Sequence, residues 1–125
     1  MKLRCVTNSI RLRIRKSELE RLKTDREIHE SLNFPTGSQL LISLQVRRQT
    51  DYDAQFDGHN LIVILPENEA LAWCENQQVS LTTSIAGPEH ELHILVEKDF
   101  PCKDREDEDK TDLFGELEDH SPKVC

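Results

Sequence analysis

Few residues in this chain are spaced to do chemistry. His90-Glu91-Leu92-His93 sets two imidazoles around a carboxylate, the residue types that hold zinc and activate water when the histidines stand four apart on a helix face. Here they stand three apart in a segment that reads as a strand, so they point to opposite faces and chelation is not expected. Cys5, Cys74, Cys102 and Cys125 include no Cys-x-x-Cys pair, and a zinc site from Cys102, His120 and Cys125 would need a fourth ligand. Without clustered spacing the four thiols read as free, with Cys5 and Cys74 as small core or helix-end residues. The four glycines are scattered singly, which leaves no phosphate-cradling loop and no nucleophile elbow. His29 and Glu30 are neighbours in a strand and face apart. The expectation is a non-enzymatic protein with no cofactor and no metal. A base and nucleophile brought together from distant positions is the one catalytic arrangement that spacing leaves open.

The cations are patterned. Ile10, Leu12 and Ile14 alternate with Arg11, Arg13 and Arg15, and Lys2 and Arg4 precede them on an adjacent segment. A period of two is that of a strand with one face buried, so the arginine row is expected to face outward. Three readings follow for Lys2, Arg4, Arg11, Arg13 and Arg15: a solvated face that guards against edge pairing, an anchor for an acidic tail, or a polyanion surface. The converse pattern occurs at Leu61–Leu65, which is apolar at every position and must be covered on both faces. A helix or the segment after Phe100 is one cover for Ile62 and Ile64, and a subunit interface is the other. From Lys103 the chain is polar and strongly acidic and reads as a disordered tail. Within it Leu113-Phe114-Gly115-Glu116-Leu117 is an apolar island. Ile62, Ile64, Leu113, Phe114 and Leu117 are therefore the candidate partner-docking residues. If the tail docks on Arg11 and Arg13, truncation after Phe100 should raise polyanion affinity.

Composition bounds these options. The chain has 125 residues, a net charge of −8 and 32% charged residues, with a mean hydropathy of −0.62. No stretch approaches the roughly 18 apolar residues of a membrane span, and residues 1–16 lack the apolar run of a secretory signal. A cytoplasmic location is the expectation. Charge is divided unevenly: residues 1–50 hold 11 basic and 5 acidic side chains, residues 51–98 hold 1 and 9, and residues 99–125 hold 4 and 10.

An internal repeat supplies the elements. Sliding the chain by about 51 residues, the offset at which the apolar periods of the two halves coincide, lays Asn8–Ile14 on His59–Leu65 and Ser17–Leu22 on Asn68–Trp73, with the apolar register kept. Ile28, Leu32 and Phe34 then fall on Val79, Thr83 and Ile85, and Leu40, Ile42 and Leu44 match Leu92, Ile94 and Val96 after one added residue. Ser17 with Glu20 has the pattern of a capping box, and Asn68 takes the matching place after Pro66. Pro35-Thr36-Gly37-Ser38, Ala86-Gly87-Pro88-Glu89 and Asp57-Gly58 carry the residues of reversing turns. Each copy reads β-β-α-β-β. A unit of this size buries too little apolar surface to fold alone, so the two should close a shared core. The predicted fold is α+β: a tandem ββαββ repeat with pseudo-two-fold symmetry, forming a small barrel or intertwined antiparallel sheets. Residues 1–50 and 51–99 make one globular unit and 100–125 an acidic flexible tail. The predicted core is Leu3, Cys5, Ile10, Leu12, Ile14, Leu19, Leu22, Ile28, Leu40, Ile42 and Leu44 with their counterparts.

Two resemblances rest on these residues. Asn8-Ser9-Ile10-Arg11-Leu12-Arg13 and Val96-Glu97-Lys98-Asp99-Phe100 with Cys102 look like the signature of an uncharacterised bacterial family of this length, which brings no activity with it. Asn8–Leu22 and Asn60–Trp73, each a strand opened by Asn and followed by a short helix, resemble the swapped-hairpin fold of transition-state regulators and addiction-module antitoxins. In that family two chains interleave into a DNA-binding dimer, so the resemblance implies a dimer made within one chain. Copy two has Asp53, Gln55, Ile62 and Ile64 where copy one has Lys2, Arg4, Arg11 and Arg13, which leaves a symmetric DNA grip without cations on one side. The expected role is binding a protein partner of unknown identity. A nucleic-acid-binding regulator using the arginine face is the alternative.

Overall fold

The computed structural model describes residues 1–101 together with Asp112, Phe114 and Glu116. Its elements run β1 (Lys2–Val6), β2 (Ser9–Ile14), α1 (Lys16–Asp25), β3 (Glu27–Asn33), β4 (Gln39–Arg47), β5 (Asp53–Phe56), β6 (Asn60–Pro66), α2 (Glu67–Glu75), β7 (Ser80–Ala86) and β8 (Glu91–Lys98). The order β-β-α-β-β therefore occurs twice, in a mixed α+β fold.

Local chemistry explains the boundaries. Both helices begin where a strand's alternation stops. Arg15 is the N-cap of α1, and the Glu18 carboxylate accepts the Arg15 backbone N–H at 3.0 Å, so the helix starts two residues before the Ser17 cap expected from the sequence. Pro66, with φ of −67°, occupies the same place before α2, where its missing N–H costs nothing. Arg26 ends α1 in the left-handed region at φ 63°. Asn8, at φ 51°, turns β1 into β2, and Gly58, at φ 98°, turns β5 into β6, where Asp57 accepts the His59 and Asn60 N–H groups.

The strands form two open four-stranded sheets, ordered β1-β2-β8-β7 and β3-β4-β6-β5. This corrects two expectations. The sheets do not close into a barrel: β1 and β7 remain the edges of one and β3 and β5 those of the other, among the described residues. Nor are the sheets antiparallel throughout, since β2 runs parallel to β8 and β4 parallel to β6. Each hairpin stays antiparallel within itself, and hairpins from opposite halves of the chain meet through central strands of the same polarity. Every sheet thus contains strands from residues 1–50 and from residues 51–98.

The core lies where the inward faces of both sheets meet the helices. Leu12, Leu22, Leu44, Val63, Leu65, Trp73 and Val96 are wholly enclosed. Of the predicted core, Ile10, Leu12, Ile14, Leu19, Leu22, Ile28, Ile42 and Leu44 are buried and Leu3 and Leu40 partly so. Cys5 is exposed instead: it sits on an edge strand, far from the helices that cap the other end. Trp73 anchors α2. Its indole N–H donates to the Val79 carbonyl at 3.1 Å and the Lys98 ammonium lies 5.5 Å from the ring centre. No helix among the described residues is long and apolar enough to cross a membrane.

Candidate functional site

Register places the predicted cations together. Lys2 pairs with Arg13 and Arg4 with Arg11 across β1 and β2, and Arg13 stands opposite Glu97 and Arg11 opposite Leu95 across β2 and β8. Alternation puts all of these on the outward face of the first sheet. That face is less open than the sequence implies. Arg13 is only 7% exposed, and its Nε donates to Glu97 at 2.7 Å. The physical reason is pairing: a guanidinium and a carboxylate on neighbouring central strands neutralise one another and lie down among their neighbours. Arg11 approaches the same carboxylate at 3.9 Å, and Lys2 bridges to Asp99 at 3.1 Å. Arg15 is exposed and reaches Glu18 at 3.2 Å. Arg4 is exposed on the edge strand.

The same face carries a constellation that spacing in the sequence did not reveal. Ser84 Oγ lies 2.7 Å from His93 Nδ1, and His93 Nε2 lies 3.9 Å from a Glu91 oxygen. Ser84 and His93 sit in an open groove of about 330 Å³ that Ser9, Thr82 and Leu95 also line. The pairing arises because Ser84 and His93 are opposite each other across β7 and β8, a signal that only the strand register could have supplied. Which of the two donates is set by the imidazole tautomer. Glu91 is beyond hydrogen-bond reach, however, and both imidazole and carboxylate are more than half exposed, so solvent weakens any stabilisation of developing charge.

The second sheet presents the opposite chemistry. Ile64 is 1% exposed and Ile62 intermediate, so this strand is covered on its outer face at Ile64 within the chain itself. The apolar residues left in water lie at the far margin of that sheet: Phe56, 66% exposed, with Leu32 and Phe34. Phe56 pairs with Leu61, which pairs with Ile42, while Leu32 pairs with Leu40, so Phe56 and Leu32 face the same side as the core but at the end remote from the helices. Carboxylates flank this margin. Asp57 follows Phe56 directly; the side-chain and backbone N–H groups of Asn60, with the His59 N–H, hold its carboxyl down to about 2. Glu30 stands opposite Ile42. Phe114 is exposed, while Leu113, Leu117 and the cysteine and histidine positions beyond Pro101 lie outside the described residues. Among the described residues, no group of three or more His, Cys, Asp or Glu is placed to hold a metal.

A family model described as a family of unknown function, DUF7009, matches residues 1–117, and the chain belongs to that family. No curated protein and no solved structure matches it significantly.

Proposed function

We propose that this is a non-enzymatic protein-interaction module, built from two duplicated ββαββ units about a pseudo-two-fold axis, that takes an apolar and basic segment of a partner protein at the margin of its second sheet. Residues 1–50 and 51–99 act as one globular unit, with 100–125 as a tail. Duplication is supported by the strand orders: exchanging β1–β4 with β5–β8 turns β1-β2-β8-β7 into β5-β6-β4-β3. Registers support it too. The run of pairs from Ser9↔His93 to Ile14↔Lys98 corresponds pair by pair to Asn60↔Leu41 through Leu65↔Val46. On the same reasoning Ile28, opposite Leu44, corresponds to Leu81, opposite Val96, rather than to Val79.

The observation that carries the binding reading is Phe56, two-thirds exposed beside the fixed charge of Asp57. Exposed aromatic surface rimmed by charge is what contact sites present, and nine acidic side chains against one basic in residues 51–98 select a cationic partner. The nucleic-acid alternative receives less support, because Lys2, Arg11, Arg13 and Arg15 already meet carboxylates of this chain at 2.7 to 3.9 Å. The open setting of Ser84 and His93 supports the non-enzymatic reading. The test is a fluorescence titration with two labelled peptides of alternating Leu with Lys or with Glu. The Lys peptide should bind, weaken with salt, and lose most of its affinity to Phe56→Ser with Leu32→Ser. Equal binding by that variant, or tighter binding of a random DNA duplex at low salt, would discard the proposal.

A further inference from the structure

The four sheet edges are not equally defended. Unpaired strand edges template further pairing unless charge, proline or brevity blunts them. β1 carries Lys2 and Arg4, β3 carries Glu27 and Glu30, and β5 has only four residues, one of them Asp53. β7 is Ser80-Leu81-Thr82-Thr83-Ser84-Ile85-Ala86: seven residues with no charge and no proline, in a chain that is 32% charged.

Among the described residues, the unpaired backbone groups on β7 can be identified. Lys98 N–H donates to the Val79 carbonyl and Gly87 N–H to the His90 carbonyl, at 2.9 and 2.8 Å. Between these two ends the β8-directed positions alternate, so Leu81, Thr83 and Ile85 spend their backbone groups on β8, while Thr82, Ser84 and Ala86 turn theirs away from the sheet. The Ser80 carbonyl accepts from Gln78 Nε2 at 2.8 Å, which closes that end of the edge.

We propose that β7 pairs antiparallel with β7 of a second copy of this chain, joining two four-stranded sheets into one of eight strands. The edge is self-complementary. A two-fold axis at Thr83 sets Thr82 against Ser84 of the second copy, so that the outward groups of both strands meet in hydrogen-bonded pairs. Thr83 then faces its own counterpart and Leu81 faces Ile85, giving hydroxyl and apolar cross-strand pairs with no like charges opposed. The corresponding edge argues the same point by contrast. In the register correspondence Glu30 of β3 stands where Thr83 stands in β7; its carboxylate holds the Met1 ammonium at 2.8 Å, and pairing β3 with itself would set two such ion-paired carboxylates against each other. The defended edge and the undefended one differ at the residue that lies on the axis. This uses the first sheet and leaves the Phe56 margin of the second free, so the two proposals fail independently.

Equilibrium sedimentation of the full chain tests it. At about 100 μM the protein should sediment at twice the monomer mass, and both Thr83→Glu, which rebuilds the β3 defence, and Thr82→Pro, which deletes an outward N–H without touching the β8 ladder, should restore the monomer. Circular dichroism identifies any variant that has failed to fold. Hydrogen exchange on the unaltered protein needs no variant: the Thr82 and Ser84 amides should slow about 100-fold between dilute and concentrated samples, while Thr83 stays protected in both. A wild-type monomer at ~1 mM, a dimer that both folded variants retain, or Thr82 and Ser84 amides that exchange freely at high concentration would each overturn the proposal.

Discussion

Arg13 shows how a side chain can be legible in type and illegible in role. Its alternation with Leu12 and Ile14 on β2 placed it on the outward face, which is where it sits, but its burial depends on Glu97, 84 residues away. No local pattern announces a partner at that distance. The register correspondence gives the pair a control, because Arg13 opposite Glu97 stands where Ile64 opposite Gln45 stands in the second sheet. Removing one partner of a buried ion pair leaves an uncompensated charge, whereas replacing both by a compact apolar arrangement is often neutral. Arg11, 3.9 Å from the same carboxylate, still compensates Glu97 in part, so Arg13→Ile alone should cost less than the ~3 kcal/mol of a fully stranded charge in urea unfolding, and Arg13→Ile with Glu97→Gln should recover part of that loss. A double variant no better than the single would show that the two positions do not substitute for one another.

Glu18 makes a second prediction at this scale. Burial alone would push its carboxyl up, but hydrogen bonds from the Met1 ammonium, the Arg15 backbone and the Arg15 guanidinium outweigh that and hold it below its ordinary value of 4.5. A carboxyl lowered in the folded state stabilises it fully above the ordinary value, and the contribution drains away as pH falls through the lower folded value. Wild-type stability should fall more steeply between pH 5 and pH 3 than that of Glu18→Gln, in the same urea assay. Parallel curves would remove Glu18 from the account.

At the scale of elements, the sequence was informative wherever the signal was local. Alternation at Ile10, Leu12 and Ile14, the Pro66 entry to α2 and the Asp57-Gly58 turn each act within a few residues, and the corresponding strands, helix and turn are present. Pairing was hidden because β2 meets β8 and β4 meets β6 across long stretches of chain, and nothing in a strand's composition states its neighbour's direction. The same gap concealed Ser84 beside His93. It also misplaced β7 by two residues against β3, since polar exits after the helices carry no apolar marker. The element most exposed to test is α2, whose Trp73 fills the centre of the core. Trp73→Ala should cost about 3–5 kcal/mol through the cavity left behind, read as a lower urea midpoint, while the Val79 carbonyl keeps the Lys98 N–H as its donor. A change below about 1 kcal/mol would mean that α2 is not seated as described.

For the whole molecule, charge and connectivity point the same way. Acidic and basic side chains are segregated along the sequence, yet folding brings Glu97 and Asp99 from the second half onto the cations of the first. Because each sheet takes two strands from each half, neither half can open its sheet without exposing strands of the other. Interlocked sheets should therefore unfold as one cooperative unit rather than as two lobes divided near residue 50. Native-state hydrogen exchange in low urea measures this directly. The slowest amides of β2, β4, β6 and β8 should converge on a single opening free energy as urea rises. Exchange in which β2 and β4 open together while β6 and β8 remain closed would contradict a fold in which each half completes the other.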